Sequence, residues 1–98
     1  MAKYDVWRDT AGACFLDIQA STLGDLNTRT MVPLMPPHEA PVPGRKLNPK
    51  IAIDGVPLIM VTQYLAATPV RELGLPVTDL IGQADKINSA LDMLLYGF

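Results

Sequence analysis

The sequence predicts an α+β fold that is mainly β, in which a small, strongly bent antiparallel sheet is closed by one C-terminal helix. Three observations predict this fold. The N-terminal half consists of short runs rich in β-branched and aromatic residues, separated by turn signals. Asp54-Gly55 stands between two such runs, and apolar residues from Leu80 to Leu94 recur at helical spacing. At 98 residues, the chain is expected to form one domain over 1–98.

The first strands are predicted from alternating and β-branched residues. Asp9-Thr-Ala-Gly12 is a turn signal between the first two strands, and Leu23 to Asn27 is a polar connection before the third. Pro33 lies within the third strand, where proline marks an edge position or a bulge. The expected strands are Tyr4 to Arg8, Ala13 to Ala20 and Thr28 to Met35.

The segment from Pro36 to Pro49 holds five of the nine prolines and is predicted to be a long, semi-rigid surface loop. Strands at Lys50 to Ile53 and Val56 to Tyr64 then flank Asp54-Gly55. This dipeptide predicts a hairpin, because both central residues of a type I′ turn need positive φ. Thr68-Pro69 and Gly74-Leu-Pro76 are interpreted as the exit from the sheet.

The C-terminal helix is predicted from one apolar face, formed by Leu80, Ala84, Ile87, Leu91 and Leu94. Thr78 or Asp79 is a candidate N-cap. Gly82 weakens the first turn, so a start one turn later is an alternative. Gly97 stands where a helix end favours a residue in the left-handed conformation.

Composition limits the classes of partner. The net charge is −2 and no basic run is longer than Arg45-Lys46, so direct binding of nucleic acid is not expected. Hydrophobic residues make up 49% of the chain, which favours a symmetric dimer, with a well-filled monomeric core as the alternative. No signal-like or membrane-spanning stretch is seen, so we expect a cytoplasmic protein without membrane contact.

The inventory of reactive side chains is small. His38 is the single histidine and Cys14 the single cysteine, so neither a zinc site nor a His-assisted nucleophile is indicated. No glycine-rich loop opens a helix, which leaves nucleotide binding without its fingerprint. We predict no catalytic residue, metal or cofactor, and a buried, inert Cys14.

The helix runs into Tyr96-Gly97-Phe98, two large apolar rings around a glycine. Such a tail is expected to pack within a dimer, to be offered to another protein, or both. Leu95 and Met93 widen the apolar surface beside it.

Four segments stand out in order along the chain: Phe15-Leu-Asp-Ile-Gln19, Arg29-Thr-Met-Val-Pro-Leu34, the hairpin at Ile53-Asp-Gly, and the helix from Ile87 to Phe98. In these segments the sequence resembles the CcdB family, toxins of plasmid toxin–antitoxin pairs that poison DNA gyrase. The resemblance covers essentially the whole chain. The resemblance implies an SH3-like barrel sheet, a homodimer and a CcdA-like antitoxin as partner.

The resemblance also implies that the tail enters the gyrase A subunit, where the aromatic residue stacks on an arginine and the DNA-cleaved enzyme is trapped. The gyrase-binding residues implied are Tyr96, Gly97, Phe98, Asp92, Leu95, Trp7 and Tyr4. The family's best-known member has tryptophan, isoleucine and asparagine in place of Tyr96, Phe98 and Asp92. Two alternatives stay open. One is an endoribonuclease toxin using Arg29, Arg45, Asp54 and His38, and the other is a dimer that keeps antitoxin binding without poisoning gyrase.

Overall fold

The structure, a computed structural model, describes residues 2–41 and 44–98. In this part of the chain, seven antiparallel strands form one sheet that curls into a half-barrel, and one α-helix packs on it. The predicted fold class is confirmed. The strands are β1 Asp5–Arg8, β2 Cys14–Asp17, β3 Thr28–Met35, β4 Lys50–Ile53, β5 Val56–Met60, β6 Ala66–Pro69 and β7 Leu75–Asp79, and the helix is α1 Ala84–Tyr96. Short 3₁₀ turns lie at Ser21–Leu23, Thr62–Tyr64, Val70–Glu72 and Ile81–Gln83.

Strand β3 is the centre of the sheet, whose order is β4-β5-β3-β2-β1-β7. One edge of β3 pairs with β2, while its other edge is shared by β6 along Thr28 to Met31 and by β5 at Leu34 and Met35. Pro33 falls between these two partners, and its carbonyl accepts a bond from the Val61 N–H at 3.1 Å. Because Pro33 lies at this gap between β6 and β5, its missing N–H costs the sheet no hydrogen bond. Pro33 is thus in a central strand, and not at the edge position or bulge that we expected.

Both predicted turns are present and follow their residue chemistry. Asp9 Oδ1 accepts the N–H groups of Ala11 and Ala13, each at 2.9 Å, which folds the connection from β1 to β2. In the hairpin from β4 to β5, Asp54 has φ 52° and Gly55 has φ 80°. These are the two positive φ angles that a type I′ turn requires.

Strands β6 and β7 correct the sequence interpretation of this region. Thr68-Pro69 lies at the end of β6, and Leu75-Pro76 begins β7, so neither dipeptide lies on a path out of the sheet. Both strands are short and mostly exposed, which hides the alternating pattern by which strands are recognised. Among the strands described, β7 pairs with β1 alone, and proline is tolerated at such an edge. The strand predicted up to Tyr64 ends earlier, at Met60, before a 3₁₀ turn.

The proline-rich segment contains turns and no strand or helix in its described parts, 36–41 and 44–49, as predicted; Val42 and Pro43 lie outside the described residues. Its end is fixed by the buried Asn48. Asn48 Oδ1 accepts the Gly44 N–H at 2.9 Å, and Asn48 Nδ2 donates to the Met60 carbonyl at 3.1 Å. These bonds hold the loop against the end of β5.

Helix α1 begins at Ala84, one turn after the first candidate start. Neither Thr78 nor Asp79 caps the helix, whose N-cap residue is Gln83. Asp79 Oδ1 instead accepts the Ile81 N–H at 3.1 Å, at the start of the 3₁₀ turn that precedes the helix. At the other end, Gly97 has φ 84° and its N–H donates to the Met93 carbonyl at 3.0 Å. This left-handed terminus confirms the prediction for Gly97.

The core lies between the inner face of the sheet and α1. Ile87 and Ala90 of the helix are fully buried against the strand residues. Cys14 is buried there as predicted. Within the described residues, α1 and the shorter helical turns lack the length and apolar content of a helix that crosses a bilayer. The buried cluster comprises Val6, Cys14, Leu16, Val32, Leu34, Ile51, Ile53, Leu58, Met60, Leu80, Ile87 and Ala90.

Candidate functional site

The end of α1 carries large apolar side chains that the protomer does not cover. Leu95 is 65% exposed, Tyr96 67% and Phe98 79%. Asp92 is exposed one helical turn before Tyr96. Because Gly97 turns the backbone at the helix end, Phe98 leaves the helical path. We call Asp92, Leu95, Tyr96, Gly97 and Phe98 the C-terminal surface.

A groove of about 590 Å³ adjoins this surface and runs between α1 and the sheet. Its apolar side chains come from both walls, and its charged ones are Lys3 and Asp92. We call it the helix groove. The sheet side contributes Lys3, Ile18, Thr30 and Leu65, and the helix side contributes Asn88, Leu91, Asp92, Leu95 and Tyr96.

Tyr4 lies beside the helix groove, because its side chain bonds to Asn88, which lines that groove. Its hydroxyl donates to Asn88 Oδ1 at 3.0 Å, which ties the start of the chain to the middle of α1. Its backbone N–H donates to the Asp17 carbonyl at 2.7 Å, and its carbonyl accepts the Leu80 N–H at 2.8 Å. These bonds hold Tyr4 at φ 77°, a region that bulky residues rarely adopt.

Trp7 lies on the other face of the sheet. Side chains alternate along β1, so Val6 enters the core and Trp7 points away from it. Trp7 lines a cavity of about 160 Å³ together with Phe15, Thr68 and Leu73. Its Nε1 is buried and has no hydrogen-bond partner among residues 2–41 and 44–98. Within one protomer, the structure thus places Tyr4 beside the helix groove, at Asn88, and Trp7 on the other face of the sheet.

A buried ion pair joins β2 and β3. We did not predict it from the sequence. Arg29 Nε donates to Asp17 Oδ2 at 2.7 Å, Arg29 Nη2 donates to Asp17 Oδ1 at 3.1 Å, and both side chains are fully buried. Arg29 also donates to the carbonyls of Leu23 and Gln19, each at 3.3 Å. The sequence does hold a signal for this pair, because Asp17 and Arg29 are charged residues in two consecutive predicted strands. Charged residues are usually buried only as pairs.

The four residues named for the ribonuclease alternative differ in their exposure and lie in different parts of the fold. Arg29 is enclosed by the sheet and by the connection before β3, whereas His38 and Arg45 are exposed in the proline-rich loop and Asp54 is exposed in the hairpin turn. His38 Nε2 lies 3.7 Å from Glu39 Oε1 at the surface. Over the described ranges 2–41 and 44–98, no group of three His, Cys, Asp or Glu side chains is arranged to hold a metal ion.

A second groove, of about 510 Å³, lies at the opposite end of β2 from the ion pair. It is largely apolar and is lined by the β1–β2 turn, by the end of β3 and by the start of the proline-rich loop. Phe15, Met35, Pro36 and Tyr64 form much of its wall. We call it the hairpin groove.

Comparison with known proteins agrees with this fold. A comparison with the curated proteins gave no match. A solved structure of an endoribonuclease from a mycobacterial species superposes with a TM-score of 0.80, over 97% of this chain and 90% of that chain, at 14% sequence identity. At this identity the likeness shows a shared fold alone. The family model described as CcdB protein matches residues 3–97. The chain therefore belongs to the CcdB family, which supports its being a toxin of a toxin–antitoxin pair.

Proposed function

We propose that this protein is a non-enzymatic toxin that binds the gyrase A subunit through the C-terminal surface and traps the DNA-cleaved gyrase complex. The observation that carries the proposal is the tail itself. Tyr96 and Phe98 are large apolar rings that remain 67% and 79% exposed at the end of a helix that Gly97 terminates. Aromatic residues that are exposed in one protomer and held by a rigid element are the usual anchors of protein interfaces.

The chemistry of the tail fits an arginine-bearing pocket. A guanidinium over an aromatic face contributes about 0.5–2 kcal/mol, depending on how far it is desolvated. Tyr96 offers such a face, and the acidic Asp92 one turn earlier favours a basic partner. Gly97 brings the backbone close to the partner without a side chain in the way.

The proposal is tested by gyrase supercoiling reactions, in which linear DNA is scored after the trapped complex is denatured. We expect linear DNA with the full chain and none with a variant that lacks residues 96–98. Tyr96→Trp tests the stacking contact and is expected to increase the yield, while Tyr96→Ala lowers it. Tyr64→Ala is the matched control, since Tyr64 is a tyrosine of similar exposure (53%) outside the C-terminal surface.

Full-chain reactions without linear DNA, together with no binding to the gyrase A subunit, would contradict the proposal. Growth inhibition with cleavage of RNA would then favour the ribonuclease alternative. Antitoxin binding without growth inhibition would favour a dimer that binds the antitoxin but does not poison gyrase. The truncated variant separates the ribonuclease alternative from the proposal, since RNA cleavage retained without residues 96–98 would favour a ribonuclease.

We also propose that the protein is a homodimer. Besides the C-terminal surface, the protomer exposes large apolar side chains along one edge strand and before the helix, including Leu75 at 75% and Ile81 at 62%. Exposed apolar area of this kind supports association with a second copy. Sedimentation equilibrium is expected to give twice the protomer mass of 10.6 kDa.

A CcdA-like antitoxin is the second proposed partner. In such pairs a disordered segment orders on the toxin as it buries apolar surface. The hairpin groove offers an apolar, open site away from the helix. Coexpression of a cognate antitoxin is expected to restore growth, and Phe15→Ser in the groove wall is expected to weaken the purified complex.

A further inference from the structure

Lys3 is a half-buried lysine on the sheet side of the helix groove. Its backbone N–H donates to Ser21 Oγ at 3.1 Å, and its ammonium lies 5.3 Å from the centroid of the Tyr4 ring. Tyr4 is itself fixed, because its hydroxyl donates to Asn88 on α1. Lys3 is therefore held over an aromatic face, unlike an ordinary lysine that extends freely into water.

The helix groove carries two charges that are not neutralised within the protomer. Asp92 stands on the helix side of the groove, and Lys3 stands on the sheet side. In the part of the chain that the structure describes, the ion pairs within 4 Å are Arg29–Asp17 and His38–Glu39, so neither groove charge has a partner there. Between the two charges lie apolar side chains, among them Leu65 and Leu91.

We infer that Lys3 is a specificity-determining residue of the helix groove, beside the C-terminal surface, and that its ammonium pairs with a carboxylate of the gyrase A subunit. The inference rests on the proposed function. Tyr96 lines the same groove as Lys3, so a partner that covers the Tyr96 ring also covers the ammonium. Removing that charge from water without a counter-charge is unfavourable, which selects a partner with an acidic group at this point.

The position of the Lys3 side chain strengthens the pairing. Contact with the Tyr4 ring orders the lysine before binding, so less side-chain entropy is lost when the complex forms. Asp92 lies on the opposite side of the groove, where its carboxylate repels acidic groups of a partner. Together the two residues set which orientation of a charged segment enters the groove.

The test measures binding of the purified gyrase A subunit to the full chain and to single variants, at low and at moderate salt. Lys3→Glu is expected to weaken binding about tenfold or more, because it places like charges together. Lys3→Ala is expected to weaken binding a few-fold and to flatten the dependence on salt, whereas Lys3→Arg retains both. Lys46→Glu is the matched control, since Lys46 is exposed in the proline-rich loop and undergoes the same change of charge.

The outcomes separate this inference from the proposal beneath it. Unchanged affinity and salt dependence in Lys3→Glu, with binding lost on removal of residues 96–98, would overturn the role of Lys3 and leave the proposed function standing. No binding by the unmodified chain would overturn both. Lys3→Gln, which removes the charge but keeps most of the side chain, replaces Lys3→Glu in the comparison should thermal unfolding show that Lys3→Glu is destabilised.

Discussion

Arg29 on β3 and Asp17 on β2 form a two-point ion pair, with Nε–Oδ2 and Nη2–Oδ1 distances of 2.7 and 3.1 Å, entirely removed from solvent. The pair does more than join two strands. Because Arg29 also donates to the Leu23 and Gln19 carbonyls, it fixes the otherwise exposed connection that leads into β3. A buried arginine without its carboxylate would be an uncompensated charge in the interior.

Asp17→Asn is expected to lower the free energy of unfolding by about 3–5 kcal/mol, since it leaves the Arg29 charge buried and unpaired. Urea unfolding followed by circular dichroism measures the change. The double variant Asp17→Leu/Arg29→Met is expected to be less destabilised than either single variant. Glu39→Gln, which breaks the exposed contact with His38, is the control and should leave unfolding unchanged. A small effect of Asp17→Asn would contradict the importance of the buried pair.

Gly74→Ala is expected to destabilise the junction of β1 and β7. A Cβ at this position would lie 2.1 Å from the Arg8 carbonyl oxygen, so the two strands would have to separate. Overpacking of this kind costs about 1–3 kcal/mol. Gly82→Ala is the matched control, because its Cβ would meet nothing within 4 Å. Thermal unfolding should show a lower midpoint for Gly74→Ala, and an equal or higher one for Gly82→Ala.

Gly97→Ala is expected to loosen the end of α1. At φ 84° an alanine is strained by roughly 1–2 kcal/mol, whereas asparagine tolerates this conformation better. The strain is relieved when the last turn frays and the bond from the Gly97 N–H to the Met93 carbonyl is lost. Faster amide hydrogen exchange at residues 93–97 in Gly97→Ala than in Gly97→Asn is the expected result. Equal exchange in both variants would argue against a structural need for glycine.

Tyr4→Phe is expected to lower the free energy of unfolding by about 0.5–1.5 kcal/mol, because it removes the hydrogen bond to Asn88. Tyr64→Phe removes a tyrosine hydroxyl from an exposed ring and serves as the control. If the two variants were equally stable, the tie between the start of the chain and α1 would not contribute. The measurement is urea unfolding under identical conditions.

Local chemistry was sufficient to predict several parts of this fold. The Asp54-Gly55 turn, the left-handed Gly97 and the buried face around Ile87 each follow from one residue type or from one period, so the sequence contains what is needed. The delayed start of α1 was similarly visible in Gly82. These elements position the C-terminal surface.

What could not be predicted depends on contacts between distant segments. β6 and β7 contain no fully buried residue and each includes a proline, so only their pairing with β3 and β1 makes them strands. The Asp17–Arg29 pair needs the register between β2 and β3. The place of Lys3 in the helix groove depends on its bond to Ser21, which lies far along the chain. Such relations are set by the three-dimensional arrangement and not by local patterns.

The pairing of β1 with β7 has a consequence for how the chain is made. Asp5 pairs with Asp79 and Arg8 with Leu75, so β1 waits for a strand that is synthesised much later. Closing so long a loop is entropically costly, and sheets dominated by such pairings fold in roughly milliseconds to seconds. During translation β1 has no access to this partner. The edge of β1 that faces β7 therefore stays unpaired on the ribosome until β7 has emerged, and it is at this edge that early aggregation or capture by a chaperone would act.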